Sequence, residues 1–417
     1  MQHEAGGKCI GKEKNFTRMK RLVQINVTAT GGSTGMMVEH LAQTAEKRGW
    51  ETWTLFGRGE AGRTHCVRIG NRCQQMVHSV LSRLWDHHGE YSRHATSAAL
   101  QAVRELHPSL VHLHVLHGYY LNLPALFEFL AEERVPIVWT LHDCWPFTGR
   151  CTHFDYLGCG RWRDGCGHCP SHGVYPKSLF DATHGSWMVK KGIFTSGRLG
   201  RMVLVPVSRW MERQVAESFM GAVERRVILN GVDTEVFSPQ AENPGWNMPE
   251  LTGKRILLGV SMYWNDRKGL ADYCKLDAML PEDCRIALVG LEKPIPGTRI
   301  IPFPHIDNPR HLAWLYRNAS LTLNLSYEES FGLTTAESLA CGTPVISYDR
   351  TASPELLDTS VGQVCPAGDV ATLSQTIASL LKHPPESDLC RDYAQRHFSL
   401  HRQMDEYLNL YEELTQS

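Results

Sequence analysis

The segment from Glu328 to Glu337 has the residue types best suited to bind a phosphorylated sugar. It reads EESFGLTTAE and continues as SLACGTPVI, which is typical of a strand, a loop, a helix that ends at Gly342 and a further strand. Backbone N–H groups at such a helix start point toward a ligand's phosphates, and the helix dipole favours negative charge there. Glu329 and Glu337 could then accept hydrogen bonds from sugar hydroxyls. The alternative is that Thr334 and Glu337 form a capping box, in which Glu337 only satisfies the helix start.

Further candidates follow predicted strands in the first half of the chain. Gly31 and Gly32 lie between a strand and a helix, where glycine-rich backbone can hold an anion; the alternative is a tight turn that needs glycine for its backbone angles. The third strand ends in three histidines, His112, His114 and His117. His142 ends the fourth strand. A lone histidine is more often structural than catalytic, and the sequence favours only His142 as a site residue.

Five of the thirteen cysteines cluster between positions 144 and 169. Four of them, with one pair at C-x2-C spacing, suit a tetrahedral structural zinc site: Cys151, Cys159, Cys166 and Cys169. Buried free thiols and a disulfide are the alternatives. The first residues lack the apolar stretch of an export signal, so we expect a cytoplasmic, reducing compartment, where clustered cysteines bind metal more often than they form bridges.

These groups need strands and helices to position them. Apolar runs rich in Val, Ile and Leu alternate with amphipathic stretches, as expected for parallel strands covered on both faces. The runs lie at 22–27, 52–56, 110–115, 135–141 and 202–207, and then at 255–260, 285–290, 299–303, 321–326 and 344–348. The pattern predicts an α/β protein with two doubly wound parallel sheets.

The predicted organisation has four parts. Residues 1–19 form a disordered leader, 20–235 an N-terminal Rossmann-like domain with a Cys-rich insertion at 144–170, 236–398 a second Rossmann-like domain, and 399–417 a helix that packs back across the junction. The join lies near 230–245, a stretch rich in turn-forming residues.

Composition excludes some functions. Lys plus Arg (43) nearly balances Asp plus Glu (44), and no basic stripe is present, so a zinc-containing nucleic-acid-binding protein is the weaker alternative and we expect no nucleic-acid partner. No apolar run is long enough for a membrane span. The chain also lacks an Asp-x-Asp pair, so we expect no catalytic metal.

Several motifs together resemble glycosyltransferase family 4, a group of retaining enzymes with the GT-B fold. ESFGLTTAE followed by ACGTPVI is similar to the family's E-x7-E signature, and the NGVD segment at 230–233 is similar to its interdomain segment. Lys268-Gly269, Gly31-Gly32 and the TLHD that contains His142 fall in the family's order. The resemblance extends from about position 20 to about position 414.

The resemblance implies roles for individual residues. Glu337 would hold the nucleotide ribose, Glu329 would lie near the donor sugar, and Lys268 would neutralise the diphosphate leaving group. The remaining implied contacts are the backbone of Phe331, Gly332 and Leu333 along the sugar and diphosphate, His142 beside the reacting sugar, and Gly32 near the phosphates or the acceptor. Where the family usually has an arginine, this chain has Met262 and Tyr263, and we expect Arg267 to take over the phosphate contact.

The cysteine cluster and its WTLHD opening resemble a subgroup from colanic-acid-type exopolysaccharide clusters. This implies a hexosyltransferase that uses a UDP- or GDP-linked sugar and a glycan acceptor, with a lipid-linked acceptor and peripheral membrane contact as further options. It would act in the cytoplasm, at the inner face of the membrane. The N-terminal domain would bind the acceptor and the C-terminal domain the nucleotide-sugar. A nucleotide-sugar epimerase of the same fold is the rival enzyme.

Overall fold

A computed structural model describes residues 19–62, 65–246 and 251–416. The predicted disordered leader falls on residues 1–18, outside the described residues, and on the exposed Met19. The strands are β1 Arg21–Thr28, β2 Glu51–Arg58, β3 Cys66–Arg68, β4 Leu110–Leu113, β5 Ile137–Leu141, β6 Met202–Pro206, β7 Glu224–Arg225, β8 Arg255–Val260, β9 Cys284–Val289, β10 Ile301–Phe303, β11 Leu321–Asn324, β12 Val345–Tyr348 and β13 Gly362–Cys365.

Helices connect most of these strands. They are α1 Gly32–Lys47, α2 Arg72–Trp85, α3 Arg93–Leu106, α4 Leu123–Glu133, α5 Thr183–Phe194, α6 Arg209–Ala216, α7 Leu270–Asp277, α8 Pro309–Asn318, α9 Leu333–Ala340, α10 Val370–Lys382, α11 Ser387–Phe398 and α12 Leu400–Thr415. In the part of the chain that the structure describes, no helix is long and apolar enough to cross a bilayer.

The strands form two parallel sheets in the described chain. The first has the order β3-β2-β1-β4-β5-β6-β7 and the second the order β10-β9-β8-β11-β12-β13. In each, strand order reverses beside the sheet's first strand in the chain, between β1 and β4 or between β8 and β11, and ligands of such sheets bind beyond the carboxyl ends of the strands at that point. The predicted α/β class with two doubly wound sheets is confirmed.

Burial explains why the sequence pattern located the central strands and missed edge strands. Every residue of β5 (IVWTL) and of β6 (MVLVP) is buried, so both faces select apolar side chains. The prediction omitted β3, β7 and β13, which are two to four residues long and carry exposed or half-buried side chains. Two of them, β3 and β7, are the edges of the first sheet, and β13 is an edge of the second.

The last helix, α12, lies against the first sheet. Tyr411 Oη is 2.5 Å from His112 Nδ1, and Tyr407 Oη is 2.7 Å from Thr140 Oγ1, all in buried positions. His112 therefore has a structural role in joining α12 to β4.

The chain passes between the two sheets at two adjacent points. The Val232 N–H donates to the Phe398 carbonyl at 2.7 Å, and the Leu400 N–H donates to the Val232 carbonyl at 2.9 Å. A Cβ on Gly231 would lie 2.7 Å from Leu400 Cα, so a larger residue would not fit at this crossing. The glycine of the NGVD segment is thus explained by close backbone packing.

Candidate functional site

Three neighbouring strands of the first sheet end together. β1 pairs with β4 and β4 with β5, so the groups that follow them share one edge. His142 Nε2 lies 3.3 Å from His114 Nδ1 at this edge. Burial lowers the pKa of His142 to about 4, so its imidazole is neutral at neutral pH and can donate or accept one hydrogen bond without carrying charge.

Asp143 is a further polar group of this edge, and the sequence interpretation gave it no role. Its Oδ2 lies 2.7 Å from His117 Nε2, and its Oδ1 accepts the Trp145 N–H at 2.9 Å. Although burial alone would raise it, the pKa of Asp143 is lowered by His117 and these hydrogen bonds. Tyr175 Oη, 3.0 Å from His117 Nδ1, extends the network toward the surface. The signal in the sequence was His117, four residues after the end of β4, but that histidine alone indicated no partner.

Gly31 and Gly32 begin α1 at the same edge. Their φ values are +77° and +63°, so backbone conformation alone accounts for glycine at both positions. Gly31 is the N-cap of α1 and makes no side-chain capping bond. The N–H groups of the first turn are therefore not occupied by a capping side chain, which is also compatible with an anion at the helix start.

In the second unit, Lys268 and Glu329 meet at the ends of β8 and β11. The Lys268 ammonium donates to Glu329 Oε1, and the two side chains are only 17% and 19% exposed. Burial would raise the pKa of Glu329, but the Lys268 cation outweighs it and the pKa is lowered. The pair is therefore ionised, with a cation held beside the start of α9.

The structure shows that the capping-box interpretation of Glu337 is wrong. Helix α9 begins at Leu333 with Gly332 as its N-cap, which puts Glu337 in the second turn, beyond the reach of a capping box. Its Oε2 instead accepts a hydrogen bond from Tyr316 Oη at 2.9 Å. Burial raises the pKa of Glu337 to about 7, and the Tyr316 hydrogen bond only partly offsets this.

Phe331 and Arg267 flank the Lys268–Glu329 pair. The Phe331 ring is buried in the core, so its side chain is not available to contact a ligand. Arg267 Nη1 donates to the Glu328 carbonyl at 3.3 Å and Nη2 to Tyr263 Oη at 2.8 Å. Arg267, which we expected to bind phosphate in place of the family's usual arginine, is therefore next to Lys268 and hydrogen-bonded to protein atoms in this structure.

The Cys-rich segment joins the two halves of the site. Glu328 Oε1 accepts the N–H groups of Phe154 at 2.7 Å and Asp155 at 2.8 Å, and Oε2 accepts that of Tyr156 at 3.3 Å. The Glu328 carboxylate is 1% exposed. The carboxylate of Glu328, in the second unit, is thus buried against backbone N–H groups of the first unit.

His153 lies at the same junction. Its Nδ1 is buried without a hydrogen-bond partner among the described residues. Burial, then the nearby Arg267 cation, lowers its pKa to about 4; Asp143, Lys268 and Glu329 act on it as well. A neutral imidazole therefore sits between the polar edge of the first sheet and the Lys268–Glu329 pair.

The structure does not support the predicted zinc site. Cys151, Cys159, Cys166 and Cys169 line one small cavity, but the described residues contain no group of three or more His, Cys, Asp or Glu arranged to hold a metal ion. The sulfurs have other partners. Ser171 Oγ lies 3.2 Å from Cys151 Sγ and 3.3 Å from Cys169 Sγ, and the Gly149 N–H donates to Cys166 Sγ at 3.2 Å. The described cysteines are free thiols, one of the alternatives left open by their spacing.

Comparison with known proteins matches both halves of the chain to families of one kind. Residues 31–236 match the model of Glycosyltransferase Family 4, and residues 299–397 match that of Glycosyl transferases group 1. The colanic acid biosynthesis glycosyl transferase WcaC of Escherichia coli (strain K12) is 26% identical to this chain. The alignment is 417 positions long and covers 94% of this chain and all of that protein. The nucleic-acid-binding alternative finds no support in these matches.

Solved structures share the whole architecture. Sucrose-phosphate synthase from Thermosynechococcus elongatus has a TM-score of 0.68 at 18% identity and covers 95% of this chain and 99% of its own. Anabaena Alr3699/HepE, solved with UDP and glucose, has a TM-score of 0.61 at 15% identity and covers 94% of this chain and all of its own. At these identities the likeness concerns the fold, which is that of the GT-B glycosyltransferases.

Proposed function

We propose, from the premise that the chain belongs to glycosyltransferase family 4 and is a glycosyltransferase, that it moves a hexose with retention from a nucleoside diphosphate sugar to a hydroxyl of a surface polysaccharide. The observation that carries the proposal is the Lys268–Glu329 pair beside the start of α9. A half-buried cation next to a helix start that has no capping side chain suits a diphosphate. The likeness to a protein named for colanic acid biosynthesis, over 94% of this chain, supports the polysaccharide acceptor.

Each unit has its own part in this proposal. Residues 236–398 bind the donor: the diphosphate lies against Lys268 and the backbone of 331–333, and Glu337 accepts hydrogen bonds from the ribose. Residues 20–235 bind the acceptor at the edge that carries His142. The neutral His142 imidazole positions the sugar, with Gly31 and Gly32 at the adjoining helix start.

The transfer breaks the bond between the anomeric carbon and the donor phosphate oxygen. A new bond forms from that carbon to the acceptor oxygen, and the acceptor's proton passes to the leaving diphosphate. Negative charge grows on the diphosphate as the bond breaks, and Lys268 stabilises that charge where it develops. No side chain is assigned as nucleophile, because retention in this proposal results from reaction on one face of the donor.

A thermal-shift comparison of UDP, GDP, ADP and their common sugars tests the donor class. Ligands that bind the native state raise its melting temperature. We expect one uridine or guanosine diphosphate sugar to stabilise the wild-type protein and to stabilise a Lys268→Ala variant much less. Equal stabilisation of both proteins would contradict the proposed diphosphate site. Release of an epimerised sugar without any acceptor would favour the epimerase instead.

A further inference from the structure

The backbone on either side of His153 is fixed by contacts to both units. The Cys144 N–H donates to the Thr152 carbonyl at 3.0 Å, which ties the residue before His153 to the loop after β5. The Phe154 N–H, directly after His153, donates to the Glu328 carboxylate of the second unit at 2.7 Å. His153 is therefore held in one position at the junction, although it lies in a loop.

The His153 ring carries a polar atom that no protein group satisfies. Its Nδ1 is buried without a hydrogen-bond partner among the described residues, and the 3.9 Å to Glu328 Oε1 is too long for a hydrogen bond. The side chain is nonetheless 29% exposed, so the open part of the ring is the edge that carries Nε2. A buried polar atom without a partner costs free energy. A ligand at Nε2 that moved the ring toward Glu328 would remove that cost.

Charged groups from both units surround the imidazole. Arg267, Lys268 and Glu329 of the second unit act on it, as does Asp143 of the first. The proposed function puts the donor diphosphate at Lys268 and the acceptor at the sheet edge that carries His142 and Asp143. The sugar must lie between them, because it leaves the diphosphate to join the acceptor. His153 occupies that interval.

The same charges determine which hydrogen bond the ring can make. The cations of Arg267 and Lys268 oppose a further positive charge, so the imidazole has one N–H and one lone pair. Three backbone N–H groups donate to the Glu328 carboxylate, which favours its charged form. This anion draws the single proton of the ring to Nδ1. Nε2, on the open edge, is then an acceptor, which suits a sugar hydroxyl and not a phosphate oxygen.

We propose that His153 is a specificity-determining residue for the donor: its Nε2 accepts a hydrogen bond from one hydroxyl of the hexose. This inference rests on the proposed function and adds to it a sugar contact that comes from the Cys-rich segment. A sugar without that hydroxyl, or with the hydroxyl on the other face of the ring, leaves Nε2 unpaired. Sites that hydrogen-bond a substrate hydroxyl discriminate against analogues that lack it for this reason.

Calorimetry with matched ligands tests the proposal on the full chain. The ligands are UDP and GDP, which have no sugar to contact, and UDP-glucose, UDP-galactose, GDP-glucose and GDP-mannose. We expect His153→Phe to weaken binding of the preferred nucleotide-sugar about fivefold, the effect of one hydrogen bond, and to leave binding of the bare diphosphate unchanged. Lys268→Ala should weaken both. His153→Gln should recover most of the loss, because the glutamine carboxamide oxygen can accept the same bond.

Deoxy analogues of the preferred nucleotide-sugar identify the hydroxyl. The analogue that lacks it should bind the wild-type protein about fivefold more weakly than the parent sugar does, and should bind His153→Phe as tightly as it binds the wild-type protein. The matched control is His168→Gln, which changes an exposed histidine of the same segment and should alter none of these affinities. Melting temperatures are measured in parallel to separate lost binding from lost folding.

Other outcomes overturn the proposal. Unchanged binding of the nucleotide-sugar by His153→Phe would refute the contact, as would equal weakening of the nucleotide-sugar and the bare diphosphate. Both results leave the proposed function intact, since nucleotide-sugar binding that depends on Lys268 remains. A wild-type protein that binds none of the four nucleotide-sugars would instead refute the proposed function, and the role of His153 with it.

Discussion

Replacing Glu328 by glutamine should loosen the Cys-rich segment where it meets the second unit. The carboxylate accepts two N–H groups at 2.7 and 2.8 Å and a third at 3.3 Å. A hydrogen bond to a charged group contributes about 1.5–3 kcal/mol and one to a neutral group about 0.5–1.5 kcal/mol. The two short bonds should thus weaken by roughly 1 kcal/mol each, and the third N–H would face an amide NH2.

Burial offsets part of that loss. It raises the pKa of Glu328, which shows that the buried carboxylate carries a desolvation cost that glutamine avoids. The lost third hydrogen bond adds about 1 kcal/mol and the avoided desolvation removes about as much, so we take ~2 kcal/mol as the net cost of Glu328→Gln. At 1.4 kcal/mol for each factor of ten, hydrogen exchange of the amides of Phe154, Asp155 and Tyr156 should accelerate about 30-fold.

Glu355 supplies a matched control at the same junction. It accepts the Arg209 N–H and pairs with Arg213, both at 2.8 Å, but the Arg213 side chain is 59% exposed. Because exposed ion pairs contribute about 0–1 kcal/mol, Glu355→Gln should change exchange locally by less than about fivefold. Unchanged protection at 154–156 in the Glu328 variant, or equal effects of the two changes, would refute the assignment of Glu328 as the principal contact.

Four further predictions concern three single groups. Lys268→Ala should lower turnover about a hundredfold through loss of a charge-stabilising donor, whereas alanine at the exposed Lys275 should leave turnover unchanged; equal effects would contradict the proposed role. The pKa of Glu337 is raised to about 7, so Glu337 loses its proton as pH rises through 7. The affinity for an intact nucleotide-sugar, measured by calorimetry, should therefore increase over that range. In Glu337→Gln the affinity should not depend on pH. The same raised pKa means that Glu337 lowers the free energy of unfolding as pH rises from about 4.5 to 7, a slope that Glu337→Gln should remove. Tyr411→Phe should cost about 1–3 kcal/mol in denaturant unfolding because it leaves a buried nitrogen of His112 unpaired, and an unchanged midpoint would refute that hydrogen bond.

The sequence was most informative where one physical requirement dominates. β5 and β6 are enclosed on both faces, so their apolar composition indicates parallel strands. Short edge strands such as β3 and β7 have no such requirement and left no pattern. Fold class was accessible from sequence because it depends on the enclosed strands.

Site prediction failed where partners are distant along the chain. Thr334 and Glu337 satisfy a capping pattern, but the N-cap lies two residues earlier, at Gly332, and Tyr316, on α8, supplies the partner of Glu337. The cysteine spacing fits zinc, but Ser171 and the Gly149 amide occupy the surroundings of the sulfurs. Local spacing describes what a segment could do, and the contacts made by remote residues decide between the alternatives.

The position of α12 has a consequence for biosynthesis. This helix follows every other element in the chain, yet it supplies the hydroxyl groups that complete the buried core of the first sheet. During translation, the first sheet emerges from the ribosome long before α12 is synthesised. Until then, the surface of the sheet that packs against α12 is exposed. The core of the N-terminal unit is therefore completed only after the second unit has been synthesised, and the two units should become protease-resistant together, once α12 has emerged.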